Sequence, residues 1–88
     1  MTKSEVTTLC SMAKLNKIFV WIPSSNANII HIKFIVGPDV RFKKNKPEEW
    51  YFYTSFGKPY VEENYEYELA LEVIQSCIKE DVAYRKNK

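Results

Sequence analysis

The sequence predicts an α+β fold. We expect a single domain with a four-stranded antiparallel sheet in the order α-β-β-β-β-α and both helices packed on one face. Three observations lead there. Four segments between residues 17 and 56 alternate their side chains with a period of two. The segments before and after them place apolar residues at helical spacing. The connections are short and carry Pro, Gly and Asn, which favours antiparallel neighbours.

The elements follow in order. Thr2-Lys3-Ser4-Glu5 matches a capping box, and Val6, Leu9, Cys10 and Ala13 then form a helical stripe. This predicts a helix over 3–15, ended by Asn16 in a left-handed conformation. Ile18, Val20 and Ile22 alternate with Lys17, Phe19 and Trp21, and Pro23-Ser24-Ser25-Asn26 reads as a turn. Residues 28–36 give the longest strand, with Ile30, Ile32, Phe34 and Val36 on one face and Ile29, His31, Lys33 and Ile35 on the other. After Gly37-Pro38-Asp39, Val40 and Phe42 alternate with Arg41 and Lys43 in a short third strand. Residues 44–48 read as a charged loop. Trp50, Phe52, Thr54 and Phe56 alternate with Tyr51, Tyr53 and Ser55 until Gly57-Lys58-Pro59 stops the strand. The last helix is expected over 64–84, with acids at its start (Glu62, Glu63, Glu66, Glu68) and a flexible basic tail over 85–88.

The chain has 88 residues, 45% of them apolar, 15% aromatic and 27% charged, as expected for one folded domain with a thin core. Two cysteines do not make a secreted disulfide framework, and no apolar run is long enough to span a bilayer or form a signal segment. The expectation is a soluble, cytoplasmic protein without membrane contact. Charge is uneven along the chain. Residues 1–46 carry eight Lys/Arg against two acids, and residues 47–84 carry two Lys against nine acids. Such a dipolar chain suits charged partners or head-to-tail self-contact.

Catalytic chemistry finds no support. His31 is the sole histidine and is expected on the sheet face opposite Cys10 and Cys77, so no Cys–His pair is expected. Zinc would need more N and S ligands at closer spacing. Glu68 and Glu72 share a helical face but read as a solvated acidic surface. Gly57-Lys58 lacks the first glycine and the hydroxyl residue of a phosphate loop. No cofactor is expected.

What remains is a surplus of apolar surface. If both helices cover the face of Ile30, Phe42 and Phe52, the other face holds Phe19, Trp21, Ile29, Ile35, Tyr51 and Tyr53. Six large groups on one open face exceed an ordinary exposed patch, and aromatic residues anchor interfaces. The expected function is a non-catalytic binding protein, an inhibitor or adaptor, that engages a protein partner there. The alternative is nucleic-acid binding through Lys33, Arg41, Lys43, Lys44 and Lys46, with Trp21, Tyr51 and Tyr53 stacking on bases. Homodimerisation through the same face, and a second contact surface on the acidic helix from Glu62 to Glu72, are further possibilities.

Overall fold

The computed structural model of the chain describes residues 1–23, 25, 27–46, 49–55, 61–64 and 66–87, with 61–64 described by backbone only. Helix α1 spans Lys3–Leu15 and begins as its sequence dictates. Thr2 Oγ1 accepts from the Glu5 N–H at 3.1 Å, and Glu5 Oε1 accepts from the Thr2 N–H at 2.9 Å. This reciprocal cap satisfies two helix-end donors and contributes about 1 kcal/mol. The end of α1 differs from expectation by one residue. Asn16 keeps φ at −98°, and Lys17 takes the left-handed conformation at φ 61°. The Ile18 N–H then donates to Ala13 O and the Lys17 N–H to Lys14 O, both at 2.9 Å, the paired bonds of a Schellman motif. Asn16 contributes through its side chain instead, donating from Nδ2 to Met12 O at 2.9 Å.

Five strands follow: β1 (Phe19–Trp21), β2 (Ile29–Lys33), β3 (Asp39–Lys46), β4 (Glu49–Ser55) and β5 (Val61–Asn64). They lie side by side in chain order, and every neighbouring pair is antiparallel. The four predicted strands are present in the predicted order, and β5 extends the sheet by one. Helix α2 spans Tyr67–Lys86. Glu62 and Glu63, expected at the start of that helix, lie in β5, while Glu66 is the N-cap residue and Glu68 sits in the first turn. Lys44, Asn45 and Lys46, expected in a loop, continue β3 through an irregularity between Lys44 and Lys46. Phe56, Gly57-Lys58-Pro59, Pro47-Glu48, and Ser24 and Asn26 of the first turn lie outside the described residues.

The core occupies one face of the sheet. Val6, Leu9, Cys10 and Ala13 of α1 and Ala70, Ile74, Cys77 and Ile78 of α2 form one buried cluster with Ile30, Ile32, Val40, Phe42, Trp50 and Phe52 of the strands. Phe42 and Phe52 are cross-strand partners whose rings meet at 5.7 Å. Both helices therefore cover the same side. Ile22 and Val36, expected on that side, are exposed because they lie beyond the ends of β1 and β2.

One buried carboxylate explains why β2 ends at Lys33. Asp81 of α2 is 1% exposed. Its oxygens accept the Ile35 N–H at 3.1 and 3.0 Å and the Val36 N–H at 3.0 Å. These amides are thus held by α2 rather than by a neighbouring strand, and the chain bends. Gly37 lets the bend approach α2: a Cβ there would lie 3.3 Å from Phe34 Cβ and 3.5 Å from Cys77 Sγ. One helical turn beyond Asp81, Arg85 Nη2 donates to Asn16 O at 2.6 Å and joins the C-terminal ends of the two helices. Arg85 and Lys86, expected in a flexible tail, are the last turn of α2.

Candidate functional site

The face opposite the helices is built from three cross-strand rows. Phe19, Lys33, Asp39 and Ser55 make the first; Trp21, His31, Arg41, Tyr53 and, by backbone register, Glu62 the second; Ile29, Lys43 and Tyr51 the third. Period-two alternation on strands with buried Ile30, Ile32, Val40, Phe42 and Phe52 places these residues outward. The sequence-predicted set Phe19, Trp21, Ile29, Tyr51 and Tyr53 is brought together here, with Lys33, Arg41 and Lys43 between them.

Three predicted site residues fall elsewhere. Ile35 is 60% exposed but lies past the end of β2, in the bend held by Asp81. Lys44 shares a row with buried Trp50 and so belongs by register to the helix-bearing face. Lys46 lies beyond the irregularity in β3, paired with Glu49.

Exposure is graded across the outer face. Phe19 is 63% and Trp21 49% exposed on the edge strand β1. Ile29, Tyr51 and Tyr53 on the inner strands are half-buried. Neighbouring side chains account for part of this. The Arg41 guanidinium lies 5.5 Å from the Tyr53 ring centre, and Asn45 Nδ2 donates to the Tyr53 hydroxyl at 3.3 Å. The Trp21 and His31 rings meet at 5.0 Å, tilted by 32°. Burial lowers the His31 pKa below its ordinary 6.5, the Arg41 charge lowers it further, and Asp39 opposes both.

A concavity of about 380 Å³ opens beside β1, bordered by Phe19, Trp21, His31, Lys33 and Asp39. Asp39 was missed as a site residue because Gly37-Pro38-Asp39 reads as a turn. Its parity with Arg41 and Lys43 is the signal that places it on the outer face.

Neither thiol is placed for nucleophilic work. Cys10 and Cys77 are buried on the helix side of the sheet, and burial is the main cause pushing both pKa values up to about 11. Lys14 and Lys3 partly offset that rise at Cys10, whereas Glu80 and Asp81 add to it at Cys77. Among the described residues, no group of three or more His, Cys, Asp or Glu side chains could hold a metal ion. Among the same residues, no helix is long and apolar enough to cross a membrane. No protein-family model, curated protein or solved structure matches the chain.

Proposed function

We propose that the chain is a small non-catalytic binding protein, an inhibitor or adaptor, that docks a protein partner on the outer face of its sheet. One observation carries this reading. Both helices cover the same face, so Phe19 and Trp21 stand in water beside the concavity. Large aromatic side chains beside cations are the residue types that anchor interfaces. Lys33, Arg41 and Lys43 lie across the same face with Asp39 the single acid of β1–β3. The complementary partner presents an apolar patch rimmed by carboxylates.

Affinity capture from the native host, with and without nuclease, tests the proposal. A nuclease-resistant protein partner lost on Trp21→Ala supports it, and a partner retained by Trp21→Ala overturns it. Tyr53→Ala is a weaker probe, because Tyr53 is half-buried and bonded to Asn45.

Nucleic-acid binding is the second reading, favoured by the way Lys33, Arg41 and Lys43 alternate with Trp21, Tyr51 and Tyr53 across adjacent strands. Three phosphate contacts on a single strand give a log–log salt slope of about −2, or about twentyfold weaker binding between about 50 and 200 mM salt. An interface dominated by Phe19 and Trp21 changes much less.

A further inference from the structure

β1 is an edge of the sheet, with β2 as its one neighbour. The direction of its backbone groups follows from bonds elsewhere in the ladder. In an antiparallel sheet, alternate residues send both N–H and C=O to one neighbour, and the residues between them send theirs to the other. The Lys44 N–H donates to Asn28 O at 2.9 Å, one step along the register from the Ile29–Lys43 pair. Even-numbered residues of β2 therefore bond to β3, and Ile29, His31 and Lys33 are directed at β1. Trp50 confirms this phase. It lies opposite Lys44, so its N–H points away from β3, and it donates to Met1 O at 2.8 Å. Phe19 and Trp21, opposite Lys33 and His31, thus use their backbone groups on β2. Val20 directs its N–H and C=O to the open edge, and Ile22 is the next residue of that parity. Ile18 shares the parity, but its N–H is already donated to Ala13 O.

We infer that two copies of the chain pair antiparallel through β1, about a two-fold axis at Trp21, and join their five-stranded sheets into one. This goes beyond the outer-face reading and does not rest on it, since it uses an edge. The edge fits a second copy of itself. With Trp21 on the axis, Val20 stands opposite Ile22 of the second copy and Ile22 opposite its Val20. Each of these pairs exchanges both backbone bonds, so the edge groups of Val20 and Ile22 are all satisfied. On the outer side Trp21 meets Trp21 as a close pair, with Cα atoms about 4.5 Å apart, and Phe19 meets Pro23. Every pairing is apolar, and no charge falls opposite a like charge. Exposed Phe19, Trp21 and Ile22 supply the apolar area. Lys17 and Pro23 stand only at the ends of this segment, and the parity of Pro23 keeps its missing N–H off the open edge. The contact is short, so the dimer is weak and reversible. Lys3 and Lys14 line the groove over Val20 and Ile22 in both copies, and their repulsion weakens pairing further at low salt. The interface is isologous, so association stops at two copies.

Sedimentation velocity of the full chain over a range of concentration and salt tests this, together with hydrogen exchange. The wild type is expected to shift from monomer to dimer as concentration rises, and more readily as salt rises. Exchange at the Val20 and Ile22 amides should slow with concentration, while Phe19 and Trp21 stay protected throughout. Val20→Pro removes an outward N–H and no bond to β2, so the fold should stand while association falls at least about tenfold. If Val20→Pro loses its circular dichroism signal, Ile22→Lys at an exposed position replaces it and should have the same effect. A wild type that stays monomeric up to about 1 mM overturns the inference. So does a dimer that survives both substitutions or that weakens as salt rises, since either marks a contact elsewhere. The outer-face reading is tested separately. Val20→Pro retains Trp21, so a partner that it captures through Trp21 supports that face whatever sedimentation shows. A dimer without any captured partner supports the edge alone.

Discussion

The two faces of the sheet use the same strands and differ by one residue in register. On β3 and β4, Phe42 and Phe52 are fully buried, while Arg41 and Tyr53, one residue earlier and one later, meet across the other side half-exposed. Backbone hydrogen bonding is common to both faces, so the difference lies in what covers them. Two helices supply eight buried apolar side chains to the inner face, and none of the outer-face residues joins that cluster. Both helices are committed to that one side. The outer side is then free to carry aromatic and cationic groups at little cost to folding.

The largest expected effect separates these faces directly. Phe52→Ala removes a fully buried ring packed on Phe42 and should destabilise the fold by about 3–5 kcal/mol. Trp21→Ala, at the exposed end of the other face, removes a cross-strand contact with His31 and should cost about 1 kcal/mol or less. Urea denaturation midpoints give both values. Comparable losses at the two sites would mean that Trp21 is part of the core, and the distinction between the faces would disappear.

Asp81→Ala comes next, with a loss of about 1–3 kcal/mol, because the Ile35 and Val36 amides lose their acceptor. Hydrogen exchange at those two amides should accelerate more than exchange in β3 or β4. Equal acceleration everywhere would show that Asp81 supports the whole fold and not the bend. Gly37→Ala probes the other side of the bend. The new methyl group meets Phe34 and Cys77, both in the core, and should cost about 1 kcal/mol. A neutral outcome would mean that Phe34 yields easily and that the approach to α2 is loose.

These residues also mark where the sequence is informative and where it is not. The inner face was readable because burial imposes a period of two on Ile30, Ile32, Val40, Phe42, Trp50 and Phe52, and a period near four on Ile74, Cys77 and Ile78. The capping box at Thr2 was readable because its bonds are local. The end of β2 was not, since its cause lies 46 residues away in Asp81. The available signal was a lone carboxylate on an apolar helical stripe, where a charge survives only with partners. The polar end of β3 was missed because ladder bonds do not require apolar side chains at Lys44, Asn45 and Lys46. β5 was missed because Glu62 and Glu63 suit a helix start as well as an edge strand. On the outer face, alternation gave parity correctly for Phe19, Trp21, Tyr51 and Tyr53. It could not show that exposure concentrates on β1, which depends on strand order and on the cover supplied by Arg41 and Asn45.

The smallest expected effect concerns His31, which sits between the exposed edge and the half-buried centre of the outer face. Its pKa is lowered first by burial and then by Arg41, with Asp39 pulling the other way. The unfolded chain therefore binds a proton at His31 more readily than the folded chain does. The stability that depends on a neutral imidazole is complete above pH 6.5 and is lost as pH falls from there through the lowered folded value. The ring is only partly buried, so the change in denaturation midpoint should be slight, and His31→Gln should remove it. Because the chain has one histidine, its ring protons can be followed by NMR without ambiguity. Arg41→Gln should raise the midpoint of that titration, and Asp39→Asn should lower it further. A midpoint at or above 6.5 in the wild type would show that Asp39 outweighs burial and Arg41, and that the centre of the outer face is closer to bulk water than the side-chain packing implies.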